Sequence, residues 1–120
     1  MFWRMSFAHP VKLKSITDGT SNTYMIGEGV VSQDYHSAAY FADGDWATCS
    51  IPLNYFSPEG LTPDIVDTDW YYGRGFKSLH PGGAQFVHAD GSVHFVIEGI
   101  AHLVYRAFAT RNGGEVVSQN

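Results

Sequence analysis

The chain has a single cysteine, Cys49, in 120 residues. No disulfide can form within it, so a small fold stapled by disulfides is excluded and the cysteine count leaves the redox compartment open. A lone cysteine reads first as a small buried apolar residue. Positive charge is also scarce. Seven lysines and arginines stand against twelve aspartates and glutamates, a formal net charge of -5. Binding a phosphate backbone needs a basic stripe to replace counterions, so no nucleic-acid partner is expected. No basic amphipathic segment suggests membrane-surface binding, and this stretch of chain is expected to make no membrane contact itself. Residues 1–14, MFWRMSFAHPVKLK, hold no apolar run near the length of a membrane helix. They also show no leader with a charged start, an apolar middle and a cleavage site, so no export signal is visible. Gly-x-Ser-x-Gly, His-Glu-x-x-His and a phosphate-binding glycine loop are all missing, which removes the commonest hydrolase and nucleotide templates. Internal repeats and low-complexity segments are missing too.

What is present fits a folded domain. The apolar fraction is 44% and the charged fraction 16%, too apolar for a disordered chain. The length predicts one domain over 1–120 with a real core. Thirteen glycines and five prolines demand many turns, hence a sheet-rich fold. Residues 1–14 read as an irregular segment. The run Thr17-Asp18-Gly19-Thr20-Ser21-Asn22 is dense in turn and capping residues and predicts a turn before a strand over 23–27. Further short strands are predicted over 38–41 and 46–51. Residues 58–69 read as an acidic Pro/Gly loop with little to bury.

The most informative stretch is FKSLHPGGAQFVHADGSVHFVI, residues 76–97. Asp90-Gly91 between two strand-like runs is a strong hairpin signal, since a type I′ turn needs positive φ at both central residues. That turn predicts pairing of residue 88 with 93, 86 with 95 and 84 with 97. Ala84, Phe86, His88, Val93, Phe95 and Ile97 would then share the core face. His88 and His94 would point to opposite faces and could not easily share a metal. Downstream, Ile100, Leu103, Val104, Ala107 and Phe108 make one apolar stripe at helical spacing. A helix is predicted over 100–112, with Asn112-Gly113-Gly114 as its left-handed cap. Together these predict an α+β domain: an antiparallel sheet with a C-terminal hairpin and one packed C-terminal helix.

Four blocks carry a family resemblance. SITDGTSNTYMIGE (15–28), WATCSIPLNY (46–55), the His80-x9-Asp90-Gly91 signature and VYRAFATRNGGEVV (104–117) occur in family order. Together they resemble the planctomycete-type prepilin-like family with a C-terminal His-x9-Asp-Gly motif. The resemblance implies a pilin-head-like fold and an extracellular or cell-surface location. It also implies partners that are copies of the same chain or other pilin-like subunits. Such proteins usually begin with a leader and a long apolar helix. The resemblance therefore covers the head domain only, either a piece of a longer protein or a stand-alone head. His88 stands where the family usually has an aromatic residue.

Several residues are candidate sites. His80 is expected to pin the Pro81-Gly82-Gly83 loop through a buried hydrogen bond, and Asp90 to serve the Gly91 turn, in separate places. A strand of about five residues spans roughly 17 Å, so His80 would reach Asp90 only if the Pro-Gly-Gly loop doubled back along the hairpin or if the two met across neighbouring subunits. Asp43, Asp45, Asp64, Asp67 and Asp69 are oxygen donors of the kind calcium takes, although no twelve-residue EF-hand loop is present. Resemblance to pseudopilins, which hold calcium in a C-terminal loop, makes calcium the one candidate cofactor. Trp46, Trp70, Tyr71 and Tyr72 could stack on a sugar, though aromatics in a small sheet protein more often fill core and rim. The sequence thus predicts a secreted or surface pseudopilin-like assembly domain without catalytic activity. The alternative is a small metal-dependent hydrolase or glycan-binding module using His80 and Asp90, with His36, or the surface aromatics.

Overall fold

The computed structural model describes residues 11–34, 47–56 and 73–115. The predicted strand over 38–41, the 58–69 loop and residues 1–10 lie outside them. Two short 3-10 turns, Leu13–Ser15 and Thr20–Asn22, lead to a strand at Tyr24–Gly27, here β1. The hairpin follows as Gly83–His88 (β2) and Val93–Ile97 (β3), then one helix, His102–Ala107 (α1). The sheet is three-stranded and antiparallel, in the order β1-β2-β3. The fold is small α+β, with the helix at the C-terminal end. Within the predicted strand over 46–51, the described residues 47–51 do not form a strand. Of these, Thr48 makes only an isolated bridge to Gly75, and residues 49 and 50 turn away.

The hairpin turn differs from the two-residue prediction. His88 accepts the Gly91 N–H at 2.9 Å and donates its own N–H to Ser92 at 2.8 Å. Gly91 has φ +88°, while Asp90 is not among the positive-φ residues. A type I turn followed by a left-handed glycine fits this pattern, where type I′ would need both residues positive. The loop is one residue longer, so Phe86 pairs with His94 and Val87 with Val93. Because side chains alternate, a one-residue slip moves a whole strand face to the other side. Ala84, Phe86 and His88 face the core as predicted. On β3 the prediction is reversed: Val96 is buried, while Val93, Phe95 and Ile97 are 58%, 49% and 61% exposed.

The core gathers Tyr24, Cys49, Leu53, Ala84, Phe86, Val96, Tyr105 and Phe108. Tyr24 is its hub, with ring centroids 4.4 Å from Phe86 and 5.3 Å from Phe108. Aromatic pairs of this kind add about 0.5–1.5 kcal/mol each beyond their area. Gly27 is required by this packing. A Cβ there would lie 2.5 Å from the Phe86 ring and 2.6 Å from the Phe76 ring.

The helix is shorter than the predicted 100–112 and turned about its axis. Tyr105 and Phe108 are buried, whereas Leu103 is 80% exposed. The predicted stripe therefore has one edge in solvent, and the core-facing stripe runs through Ile100, Val104, Tyr105 and Phe108. The chain leaves α-geometry after Ala107, where Ala109 and Thr110 N–H groups close tighter bonds to Arg106 and Ala107. Gly114, with φ +75°, lies beyond the end of the helix and does not cap it.

Candidate functional site

Among the described residues, two features could do something beyond holding the fold: a groove at Glu28 and His80, and the outer face of the sheet. The groove begins where β1 ends. The Glu28 carbonyl accepts the Lys77 N–H at 3.1 Å. Its carboxylate accepts the Gln85 N–H at 2.6 Å through one oxygen and meets His80 Nε2 at 3.2 Å through the other. One side chain thus ties together β1, the start of β2 and the segment before the Pro81-Gly82-Gly83 loop. The Ser78 hydroxyl accepts the His80 N–H at 3.1 Å, and the Ser78 N–H donates to Asn54 Oδ1 at 2.8 Å. Asn54 sits at φ 58°, a conformation asparagine tolerates better than most residues. It also donates to Glu98 at 3.3 Å. The open groove beside this network has a volume of about 640 Å³ and is lined by residues that include Val31, Ser32, Leu79 and His80.

Behind the groove, Lys77 is only 1% exposed. Its ammonium donates to the Gly73 and Gly75 carbonyls at 3.1 and 3.2 Å. Burial pulls its pKa down, and the Asp34 carboxylate opposes that shift. Arg74 pairs with Asp34 at 3.5 Å. Nothing in the sequence pattern singled out Lys77 or Asn54, because both lie in short irregular segments whose burial depends on distant strands.

Asp90 does not reach His80. Its Oδ1 accepts the Ser92 N–H at 2.9 Å and the Ser92 hydroxyl at 2.6 Å, and its N–H donates to Thr20 at 3.2 Å. The Ser92 hydroxyl is the first cause of a lowered Asp90 pKa. His94 Nε2 lies 3.0 Å from the same hydroxyl. The order Asp90–Ser92–His94 is unlike a catalytic triad. There the histidine stands between the acid and the serine and takes the hydroxyl proton. Here that proton is given to Asp90, so Ser92 is not activated.

His88 and His94 share a face, contrary to the prediction, with ring centroids 4.5 Å apart. The one-residue shift in register brings them together. His88 Nδ1 faces the Ser21 carbonyl, while its Nε2 is buried without a partner among the described residues. No group of three or more His, Cys, Asp or Glu residues among the described residues could hold a metal. Asp43, Asp45, Asp64, Asp67, Asp69, Trp46, Trp70, Tyr71, Tyr72 and His36 all lie outside the described residues.

A third carboxylate closes the two ends of the described chain. Asp18 accepts the Thr110 hydroxyl at 3.0 Å and the Gly113 and Gly114 N–H groups at 2.8 and 2.9 Å. The Gly114 N–H is the main cause holding its pKa below the ordinary value. The first of the sequence blocks resembling the family thus meets two others: Glu28 reaches His80, and Asp18 reaches Gly113-Gly114.

Residues 1–102 match the family described as "Protein of unknown function (DUF1559)", a family associated with prepilin-like proteins. The chain belongs to the DUF1559 family. No curated protein and no solved structure matched it. For this DUF1559 chain the remaining feature is the outer sheet face. Ile26 on β1, Val87 on β2 and Val93, Phe95 and Ile97 on β3 lie on the side away from the core. Phe95 lies across Gly83, where a Cβ would meet its ring at 2.9 Å. No helix among the described residues is long and apolar enough to cross a membrane.

Proposed function

We propose that this chain is the structural head of a secreted or surface prepilin-like protein, acting by assembly and carrying no catalytic activity. Its partners are copies of itself or other pilin-like subunits. The observation that carries this reading is the apolar outer face of the sheet, with Ile26, Val93, Phe95 and Ile97 exposed on adjacent strands. Single exposed apolar residues are ordinary, but a contiguous patch on a rigid sheet marks a contact surface. The polar residues support the same reading. Asp18, Glu28 and Asp90 each bind backbone N–H groups, which fits residues that hold segments together better than residues that turn over a substrate.

Sedimentation velocity over a wide concentration range tests it. Reversible self-association is the expected result. A strict monomer at the highest concentration, with an outer face that binds no apolar dye, would overturn the assembly role.

A further inference from the structure

We infer that the outer edge of β3 pairs antiparallel with β3 of a second copy, joining two sheets about a two-fold axis at Phe95. The inference rests on the assembly reading above and names its surface.

The hydrogen-bond pattern sets the geometry. His88 donates to Ser92, and Glu98 donates to Gly82, at 2.8 and 2.9 Å. Antiparallel pairs alternate between bonded and non-bonded, so residues 92, 94, 96 and 98 direct their backbone groups toward β2. Val93, Phe95 and Ile97 therefore direct theirs away from it. Among the described residues no strand pairs with that edge. The Ile97 carbonyl is already engaged by the Ile100 N–H at 3.1 Å.

The two edges of the sheet are unlike each other. The β1 edge is short, its register shifts between Tyr24 and Ile26, and its Tyr24 N–H is taken by the Phe108 carbonyl at 2.7 Å. Bulges, short length and cover are the devices that keep an edge from pairing. Among the described residues, β3 has neither bulge nor cover. Its sequence, Val-His-Phe-Val-Ile, contains no proline, lysine or glycine, and its pairing register is regular. An edge of this kind is a template for another strand.

A second copy fits this template. Two-fold pairing centred on Phe95 sets Phe95 against Phe95 of the other copy, and Val93 against Ile97. Every residue with outward backbone groups then meets another with outward backbone groups. The Phe95 N–H and carbonyl groups bond reciprocally, and each Ile97 N–H reaches a Val93 carbonyl. The apolar faces also join on one side, since Val93, Phe95 and Ile97 share it. Charges do not conflict: Glu98 comes opposite Ser92, and Asp90 opposite Ile100. Like charges placed directly opposite would destabilise the pair, and the register avoids them.

Amide exchange and sedimentation on the whole chain test this. Protection at Val93, Phe95 and Ile97 should rise with protein concentration. Phe95→Lys places a charge at the axis, and Phe95→Pro removes the central N–H. Both should weaken self-association at least tenfold, while Leu103→Lys, on exposed helix surface, should leave it unchanged. The Phe95 N–H makes no bond to β2, so proline at this edge position removes no bond within the described sheet. Thermal melting confirms that each variant folds. Self-association that survives both Phe95 variants overturns the edge pairing and leaves the assembly reading standing. Loss with lysine but not proline points to face stacking and also overturns it. Protection independent of concentration means that the chain covers its own edge, which overturns it too. A strict monomer overturns the edge pairing, and one whose outer face also binds no apolar dye defeats both readings.

Discussion

His80 Nε2 stands 3.2 Å from Glu28 Oε1, yet the histidine side chain is 53% exposed. The buried bond expected for this motif residue is therefore a surface pair, and such pairs contribute about 0.2–1 kcal/mol. Glu28 is different, because its second oxygen holds the Gln85 N–H. Glu28→Ala should cost more than the pair alone, about 1–2 kcal/mol, because it gives up this solvent-facing hydrogen bond together with the His80 pair. His80→Ala should cost no more than about 1 kcal/mol. Urea denaturation of both variants checks the ranking, and a larger loss at His80 would reverse this account.

On the helix, Phe108 is 2% exposed and Leu103 is 80% exposed. Phe108→Ala should destabilise by about 3–5 kcal/mol. Leu103→Ala should change stability by no more than about 0.5 kcal/mol. Equal effects in denaturation would mean that the core-facing stripe has been misplaced.

The sequence showed the helix and the hairpin because each has a local signal: apolar spacing for one, Asp90-Gly91 for the other. It did not show which side of Leu103 faces the core. That is decided by where Tyr105 meets Tyr24 and Phe86, across 81 and 19 positions of chain respectively. The sheet register was missed for a smaller reason. Asp-Gly suits both a two-residue turn and a three-residue turn ending in glycine, and the choice depends on the Ser92 contacts with His88 and Asp90. The partnership of Asp18 with Gly113-Gly114 left no trace in spacing, since it joins opposite ends of the described chain.

Asp18 should make stability acid-sensitive. Its folded pKa lies below the ordinary value of 3.8, chiefly through the Gly114 N–H, with Gly113 and Thr110 adding to it. The unfolded chain therefore takes up the proton more readily. The contribution is present above the unfolded value and is lost as pH falls through the folded one. Asp18→Asn should lower stability at neutral pH and flatten the decline below about pH 4. Thermal melts between pH 2 and pH 7 read this directly. A decline as steep as in the unaltered chain would remove Asp18 from the explanation.

Cys49 is buried, and burial pushes its thiol pKa up to about 11. The Tyr105 hydroxyl beside it works in the other direction. Thiolate is the reactive form, so folded protein at pH 8 should react with a disulfide reagent much more slowly than protein in denaturant. Fast labelling of the native state would mean that this part of the core opens readily.

The turn offers the most direct test of the hairpin register. Gly91 holds φ +88°, and nothing stands within 4 Å of where its Cβ would be. Any cost of Gly91→Ala is therefore conformational, about 1–2 kcal/mol for forcing an L-residue into the left-handed region. Asparagine tolerates that region better, so Gly91→Asn should cost less than alanine. Asp90 is not at positive φ, so Asp90→Gly should gain no relief from strain. It should lose the contacts to Ser92 and destabilise. A type I′ turn would respond differently, because glycine would suit both central positions. Denaturation of the three variants separates the two turns. Stabilisation by Asp90→Gly would return the two-residue turn and, with it, put Val93, Phe95 and Ile97 back toward the core.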